Sequence, residues 1–376
     1  MAADTPDPNN AVQTRGGENP LRKGREKNML KKTFVLFFLI VTGLAFALSP
    51  AASAAAKKLH FGMPTPKPNV VHIPVYLALD RGFYKAQGLD VKISRFRGGT
   101  RAHQAITAKG TDLDLAWIPG PLTMSGIARG SGLKMFYSYA HKNEAILAVQ
   151  ADIKKPADLR GKKLGIEGKF GYSHLGMLSV IQPAGVTDKD VIYVRTTPPQ
   201  RVSFIISGKV DAVLMHIEQV AFASKKTKGK VHTLARIWET QPDYLYAAVS
   251  APGAKIKANR RAYVSATRAL INATRFMYKN KAATINTAVK FLRGGKKARK
   301  GASKTYDIIT RARIWTTNVG LPMKVLRYTN NLNAKLGRYK KGKPKIKDLV
   351  DFRIGRAAMK AFAKKSGKKA RRKKKM

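Results

Sequence analysis

From Lys57 onward, apolar and polar positions follow a short pattern that repeats. In KKLHFGM, Leu59, Phe61 and Met63 alternate with polar or small residues, the period-two signature of a strand. PTPKPNVVH follows as a proline-broken loop. Pro74 suits the first turn of a helix, where its missing N–H costs nothing. Val75, Leu77, Ala78 and Phe83 would form that helix's buried stripe. Gly82 and Gly88 punctuate its end, and LDVKI alternates again. Strand, loop, helix and strand in this order make the elementary unit of a parallel α/β sheet.

The unit recurs. Residues 101–118 predict a helix, a glycine stop and a strand ending at Trp117. GPLTMSGIARGSGLKMFYSYA predicts a helix, stops at Gly130 and Gly132, and a strand from Leu133. A strand ends at Ile166, and EGKFGYSHLGMLSVIQPAGV gives a glycine-rich loop and a helix. TDKDVIYVRT predicts another strand. AITAKGTDLDLAW and FIISGKVDAVLM share one grammar: helix end, glycine, aspartate, apolar strand. One copy in each half predicts two α/β lobes. Residues 258–293, 302–319 and 322–337 read as helical, and the chain from 341 is polar and basic.

The N-terminal pattern differs. Lys31 and Lys32 precede an apolar run from Phe34 to Leu48, then small residues to Ala56, with an Ala-x-Ala site at Ala52–Ala54. This predicts a signal peptide over 29–56 and translation from Met29, with 1–28 a non-structural extension. The run is shorter than the ~20 residues a spanning helix needs; an uncleaved anchor is the alternative. No cysteine follows, which excludes a lipoprotein anchor.

The chain has 376 residues and no cysteine. Disulfide frameworks, thiolate nucleophiles and cysteine metal sites are therefore excluded. Its net charge is +52. Such an excess attracts polyanions without defining a fold. Twelve Lys or Arg follow the last acid, Asp351. Self-repulsion predicts a largely disordered tail there, free for non-specific contacts with anionic envelope surfaces.

In open α/β sheets, ligands bind beyond the carboxyl ends of the strands. The loops to search carry Asn69 and His72; Trp117; Glu167, Phe170, Tyr172, Ser173 and His174; and His216 and Glu218. Trp238 and Tyr244 lie where the chain would return to the first lobe. EGKFGYSH can cradle an anion or polar group, since glycines permit close approach and Ser173 sits near a helix N-terminus; a plain strand-to-helix turn is the alternative. Trp117 and Trp238 could stack on a flat ligand or fill the core. His72 is a helix-entry residue that could also touch ligand. Glu218 could pair an amino group or answer the helix dipole.

No G-x-S-x-G elbow is present. Ser173 and His174 are adjacent on a helix and cannot face each other. The His216 and Glu218 pair is too sparse for a metal site. There is no Walker A loop, and the glycine pair at 98–99 reads as a turn rather than a dinucleotide fingerprint. No catalytic residue, metal or cofactor is expected.

IPVYLALDRGFYKAQGLDVKI resembles the mature N-terminal segment of periplasmic solute-binding proteins for nitrate, sulfonates, taurine and pyrimidine precursors. AITAKGTDLDLAW, ARGSGLKMFYS, IKKPADLRGKKLGIEG and FIISGKVDAVLM resemble later blocks of that family in the same order, across about residues 58–290. Pro68-Asn69-Val70-Val71-His72 resembles a run of the pyrimidine-binding branch. That branch usually carries a tryptophan early in this loop, absent here near Met63. The related pyrimidine-synthase enzymes rely on a cysteine-rich motif that this chain lacks.

The resemblance implies a two-lobed type II periplasmic binding fold, α/β with mostly parallel sheets flanked by helices and ligand in the interlobe cleft. Lobe one would span 57–148 and return over 247–345; lobe two would span 149–246; the tail would occupy 346–376. It implies a periplasmic, non-enzymatic, substrate-binding component of an ABC importer, delivering a small organic or oxyanion solute to a permease and its ATPase. Asn69, His72, Trp117, Tyr172, Ser173, His174, Glu218, Trp238 and Tyr244 are the expected ligand contacts. The rivals are a secreted polycation that binds polyanions and an enzyme on the same fold; no specific nucleic acid is expected.

Overall fold

The structure, a computed structural model, describes residues 55–169 and 171–373. The extension, nearly all of the signal segment and Phe170 lie outside them.

Among the described residues, ten strands form two five-stranded sheets. In chain order they are β1 (Lys57–Met63), β2 (Leu89–Arg95), β3 (Leu115–Pro119), β4 (Leu133–Tyr137), β5 (Ile146–Val149), β6 (Lys163–Ile166), β7 (Ile192–Arg195), β8 (Ala212–Met215), β9 (His232–Arg236) and β10 (Ala247–Pro252). The first sheet runs β2-β1-β3-β10-β4 and the second β7-β6-β8-β5-β9. β1 pairs in parallel with β2, from Lys57 against Leu89 to Met63 against Arg95. β10 runs antiparallel between β3 and β4. In the second sheet β5 holds the matching place, antiparallel between β8 and β9. The two sheets thus share one order, and each has one reversed strand where the chain passes between lobes.

The alternation read in the sequence matches the edge of the first sheet. Leu89 and Val91 of β2 are buried while Asp90 and Lys92 are exposed. The reversed strands carry no alternation: ILAV of β5 is buried at all four positions, as is most of β10. A short apolar run buried on both faces looks the same as a piece of buried helix, so period alone cannot find it. The helix Ile73–Asp80 has Pro74 in its first turn. Every residue from Ile73 to Ala78 is buried, so it is enclosed on all sides rather than along one stripe.

The C-terminal segment departs from the expected disordered tail. Ile346–Leu349 and Phe352–Lys373 are helical. Ile354 and Ala358 are fully buried in the main apolar cluster. Arg268 donates to the Ala357 carbonyl at 3.2 Å. Charge density hid the apolar face that Ile354, Ala358 and Phe362 present in this otherwise basic stretch. Among the described residues, no helix is long and apolar enough to cross a membrane.

Candidate ligand cleft

The cleft lies where strands end. Pro64 and Thr65 follow β1, Trp117 and Pro119 close β3, Glu167, Gly168, Lys169 and Gly171 follow β6, and His216 follows β8. All of these line one cavity of about 160 Å³. That is close to the volume, roughly 150 Å³, of a protein cavity that takes one benzene ring. Three helices begin at its wall: Gly99–Thr107, Gly120–Ala128 and Tyr172–Ile181. None has a side-chain cap on its first amides; in the second, Gly120 donates to the Tyr246 carbonyl at 3.0 Å and Pro121 has no N–H, so the helix starts at Gly99 and Tyr172 offer a ligand more.

The glycine pair is part of the wall. Gly98 has φ +113°, which favours glycine. A Cβ on Gly99 would lie 2.5 Å from the Pro119 ring. The turn read at 98–99 therefore brings a helix start against the end of β3.

Aromatic rings build the apolar side. Trp117 is 1% exposed and stacks on Tyr139 with centroids 3.8 Å apart. Tyr246 meets the Trp117 edge at 6.1 Å and Tyr172 at 6.0 Å. Trp117 is therefore both core and wall, with one face already covered. Tyr244 also lines the cavity.

Three buried polar atoms on lining residues have no protein partner: Thr65 Oγ1, His72 Nε2 and the Tyr244 hydroxyl. Buried polar groups without partners are costly, so such atoms mark places that something else must satisfy. The tautomer of His72 follows from its neighbour. The Asn69 N–H donates to His72 Nδ1 at 3.2 Å, which leaves Nε2 as a donor in the neutral ring. Burial, with His216 beside it, holds the His72 pKa well below its ordinary value. All three orphans can therefore donate.

The second lobe supplies most of the charge. Arg201 is 3% exposed, pairs with Glu167 and donates to the Tyr172 hydroxyl. Burial alone would lower its pKa, but Tyr172 and Glu167 outweigh it and hold the guanidinium charged. Lys169 and Arg338 also line the cavity. Three cations stand there against one carboxylate, Glu167. Behind this wall the buried Glu144 carboxylate takes the Nδ1–H of His216. Glu218 accepts from the Val70 N–H at 3.1 Å, a bond between the lobes. Burial raises its pKa, Glu144 adds to this, and His216 opposes it.

Four of the nine expected contacts, His72, Trp117, Tyr172 and Tyr244, come together in the cavity wall. The other five sit elsewhere. Asn69 orients His72, and Glu218 ties the lobes. Ser173 Oγ accepts from the Glu167 N–H at 3.1 Å, so it shapes the loop from within. His174 is fully buried, bonded to Asp188 at 2.8 Å and packed on Tyr193. Trp238 belongs to the apolar core. Sequence reasoning passed over Arg201, Tyr246 and Glu144. Arg201 sits in PPQRVSF, which reads as a solvated helix start; only the carboxylate 34 residues earlier explains its burial.

A two-lobed α/β scaffold with a polar–aromatic cleft at its strand ends is the fold of periplasmic binding proteins. The chain belongs to the NMT1/THI5 like family, whose model matches residues 69–283. It is similar to the riboflavin-binding protein RibY of Chloroflexus aurantiacus, 23% identical over 42% of this chain and 48% of that protein, less than half its length. It is also similar to the 4-amino-5-hydroxymethyl-2-methylpyrimidine phosphate synthase of Saccharomyces cerevisiae, 28% identical over 39% of this chain and 42% of that one. Solved structures of the same fold include the ligand-binding component of an ABC-type import system from Staphylococcus aureus with zinc bound. It has a TM-score of 0.67 and 12% identity, covering 80% of this chain and 99% of that one. The alkanesulfonate-binding protein SsuA from Xanthomonas axonopodis pv. citri, bound to MOPS, has a TM-score of 0.62 and 15% identity, covering 80% and 98%.

Proposed function

We propose that the protein captures a small anionic organic solute in the periplasm and hands it to the permease and ATPase of an ABC importer. The three orphaned donors in the cleft wall carry this reading. A sulfonate or carboxylate offers several acceptor oxygens, which could answer Thr65, His72 and Tyr244 together. The excess of cations in the wall and the uncapped helix starts favour the same sign of ligand. The aromatic side and the cavity volume favour a body about one ring in size. Closure of two lobes on such a ligand would bury it from both sides and present a new surface to a membrane partner. The export signal expected over 29–56 supports putting this work outside the cytoplasm.

A thermal-shift screen of residues 57–376 tests the reading. The panel holds alkyl and aryl sulfonates, aromatic carboxylates, taurine, nitrate and pyrimidine precursors. A true ligand at 100 times its dissociation constant should add roughly 2.7 kcal/mol of stability. Stabilisation by neutral pyrimidines alone would sink the anionic reading, and silence from the whole panel would sink capture.

A second reading has one observation in its favour. His216 lines the cleft while its Nδ1 is held by the buried Glu144 carboxylate, the arrangement of an oriented general base. Chromatography of the same incubations decides it: a consumed compound makes the chain an enzyme, and unchanged compounds leave it a carrier.

A further inference from the structure

A second constellation lies on the first sheet, outside the cleft. β1 and β2 pair in parallel, with His60 against Lys92 and Gly62 against Ser94, so His60 and Ser94 share one face of the sheet. His60 Nε2 and the Ser94 hydroxyl are 2.7 Å apart. Nδ1 of the same ring is 2.9 Å from a carboxylate oxygen of Asp112, in the loop before β3. None of the three lines the cleft cavity.

The carboxylate sets the direction of these bonds. An ionised carboxylate only accepts, so Nδ1 carries the ring proton. In the neutral imidazole Nε2 is then bare, and the Ser94 O–H donates to it. A hydroxyl donating to an imidazole whose far nitrogen is held by a carboxylate is the arrangement of an activated serine. Such a set is recognised by geometry. Here it is spread over two strands and a loop, and no local motif marks it.

The histidine is held by its main chain as well. The His60 N–H donates to Asp114 Oδ2 at 2.8 Å, and the Asp114 N–H donates to the His60 carbonyl at 2.9 Å. Lys255 grips Asp114 at 3.2 Å. The loop that carries Asp112 is therefore pinned beside the ring. The His60 side chain is 12% exposed and Ser94 is half-buried, so the pair is sheltered yet reachable. Leu113, Ala116 and Phe96 crowd Gly62, the residue paired with Ser94, which makes the ground beside the hydroxyl apolar. Lys92, exposed two positions before Ser94, puts positive charge on the face where an oxyanion would develop.

We propose that Ser94, His60 and Asp112 form a nucleophilic site that takes the acyl group of small carboxylic esters. The Ser94 oxygen bonds to the ester carbonyl carbon as its proton passes to His60 Nε2. The bond to the alcohol oxygen then breaks, and the alcohol leaves with that proton. Water attacks the acyl group next and gives its proton, by way of the same nitrogen, to Ser94. The carboxylic acid departs and the site is restored.

Labelling of the full chain with diisopropyl fluorophosphate, read residue by residue by peptide mass spectrometry, tests this. The phosphorus stands in for the ester carbon and makes a stable bond to serine. Ser94 should label at least about 100-fold faster than Ser203, an exposed serine on the other lobe. His60→Gln should remove about 10²–10⁴ of the Ser94 rate, the usual contribution of a general base. Asp112→Asn should slow it by about tenfold. Buried triads lose ~10⁴ from this change, but Asp112 is 77% exposed and water screens it. That exposure also means the variant should melt with the wild type, which separates chemistry from folding. p-Nitrophenyl acetate should leave its acetyl group on Ser94 with the same dependence on His60 and Asp112. Equal labelling of Ser94 and Ser203, or a Ser94 rate unmoved by both variants, would overturn the inference. Labelling by the fluorophosphate with no acetyl transfer from the ester would overturn it too. The site shares no residue with the cleft, so a silent ligand panel leaves this result standing.

Discussion

The two lobes have the same strand order yet line the cleft with opposite materials. Lobe one brings Pro64, Thr65, Trp117 and Pro119, with His72 as a neutral donor. Lobe two brings Glu167, Lys169 and Arg201, with His216 behind them. Apart from Arg338, lobe one offers shape; lobe two adds charge beside the ring of Tyr172. The difference teaches how a symmetric scaffold can divide its work. In the proposed reading a ligand's ring packs beside Trp117, its oxygens reach the donors of Thr65, His72 and Tyr244, and the cations of the second lobe draw its charge.

The sharpest test of that division is on the shape side. Trp117→Ala removes a buried ring stacked on Tyr139. It should cost about 3–5 kcal/mol of folding stability by chemical denaturation, as large-to-small core changes do. A loss of ligand affinity with unchanged stability would mean that the ring serves the ligand and not the wall.

On the charge side, Arg201→Met should weaken binding of an anionic ligand by about 1.5–3 kcal/mol, the usual worth of a charged hydrogen bond. Isothermal titration with the screened ligand measures it. Unchanged affinity would show that Arg201 serves Glu167 and Tyr172 alone.

A smaller effect concerns the donor on the shape wall. The folded-state pKa of His72 lies below its ordinary value of 6.5. The unfolded chain therefore takes a proton that the folded protein refuses. Stability is complete above that value and falls as pH drops below it. His72→Gln should flatten the fall in melting temperature between about pH 7.5 and pH 5. His141, drawn down to about 4 chiefly by burial, likewise stays neutral in the folded protein while the unfolded chain takes up its proton in this window, and leaves a residual slope. An identical slope in the variant would mean that His72 is charged in the folded protein and is no neutral donor.

Much of this division was legible along the chain, though unevenly. Leu59, Phe61 and Met63 announced β1, and the repeated helix, glycine, aspartate and strand grammar announced two lobes. Trp117, His72 and Tyr172 could be placed because loops after strands are few, and Tyr244 because the chain was expected to return to the first lobe near it. Ser173 and His174 could not be sorted from Tyr172, because three consecutive residues at a helix start point in three directions. His174 turned to Asp188, a partner 14 residues on. Burial of a charge is a property of pairs, and Arg201 with Glu167 is such a pair. β5 and β10 carry no alternation to read.

The placement of β10 reaches beyond the cleft, into the order of assembly. The second sheet is complete within residues 146–236, one unbroken stretch. The first sheet stays open until Ala247–Pro252 slides between β3 and β4, and its core gains Ile354 and Ala358 later still. Contacts so distant in sequence close slowly, because the loop between them must first be ordered. A chain emerging from its N-terminus therefore holds the beginning of one lobe in waiting while the other finishes. The cleft cavity, which needs both, is among the last features to exist.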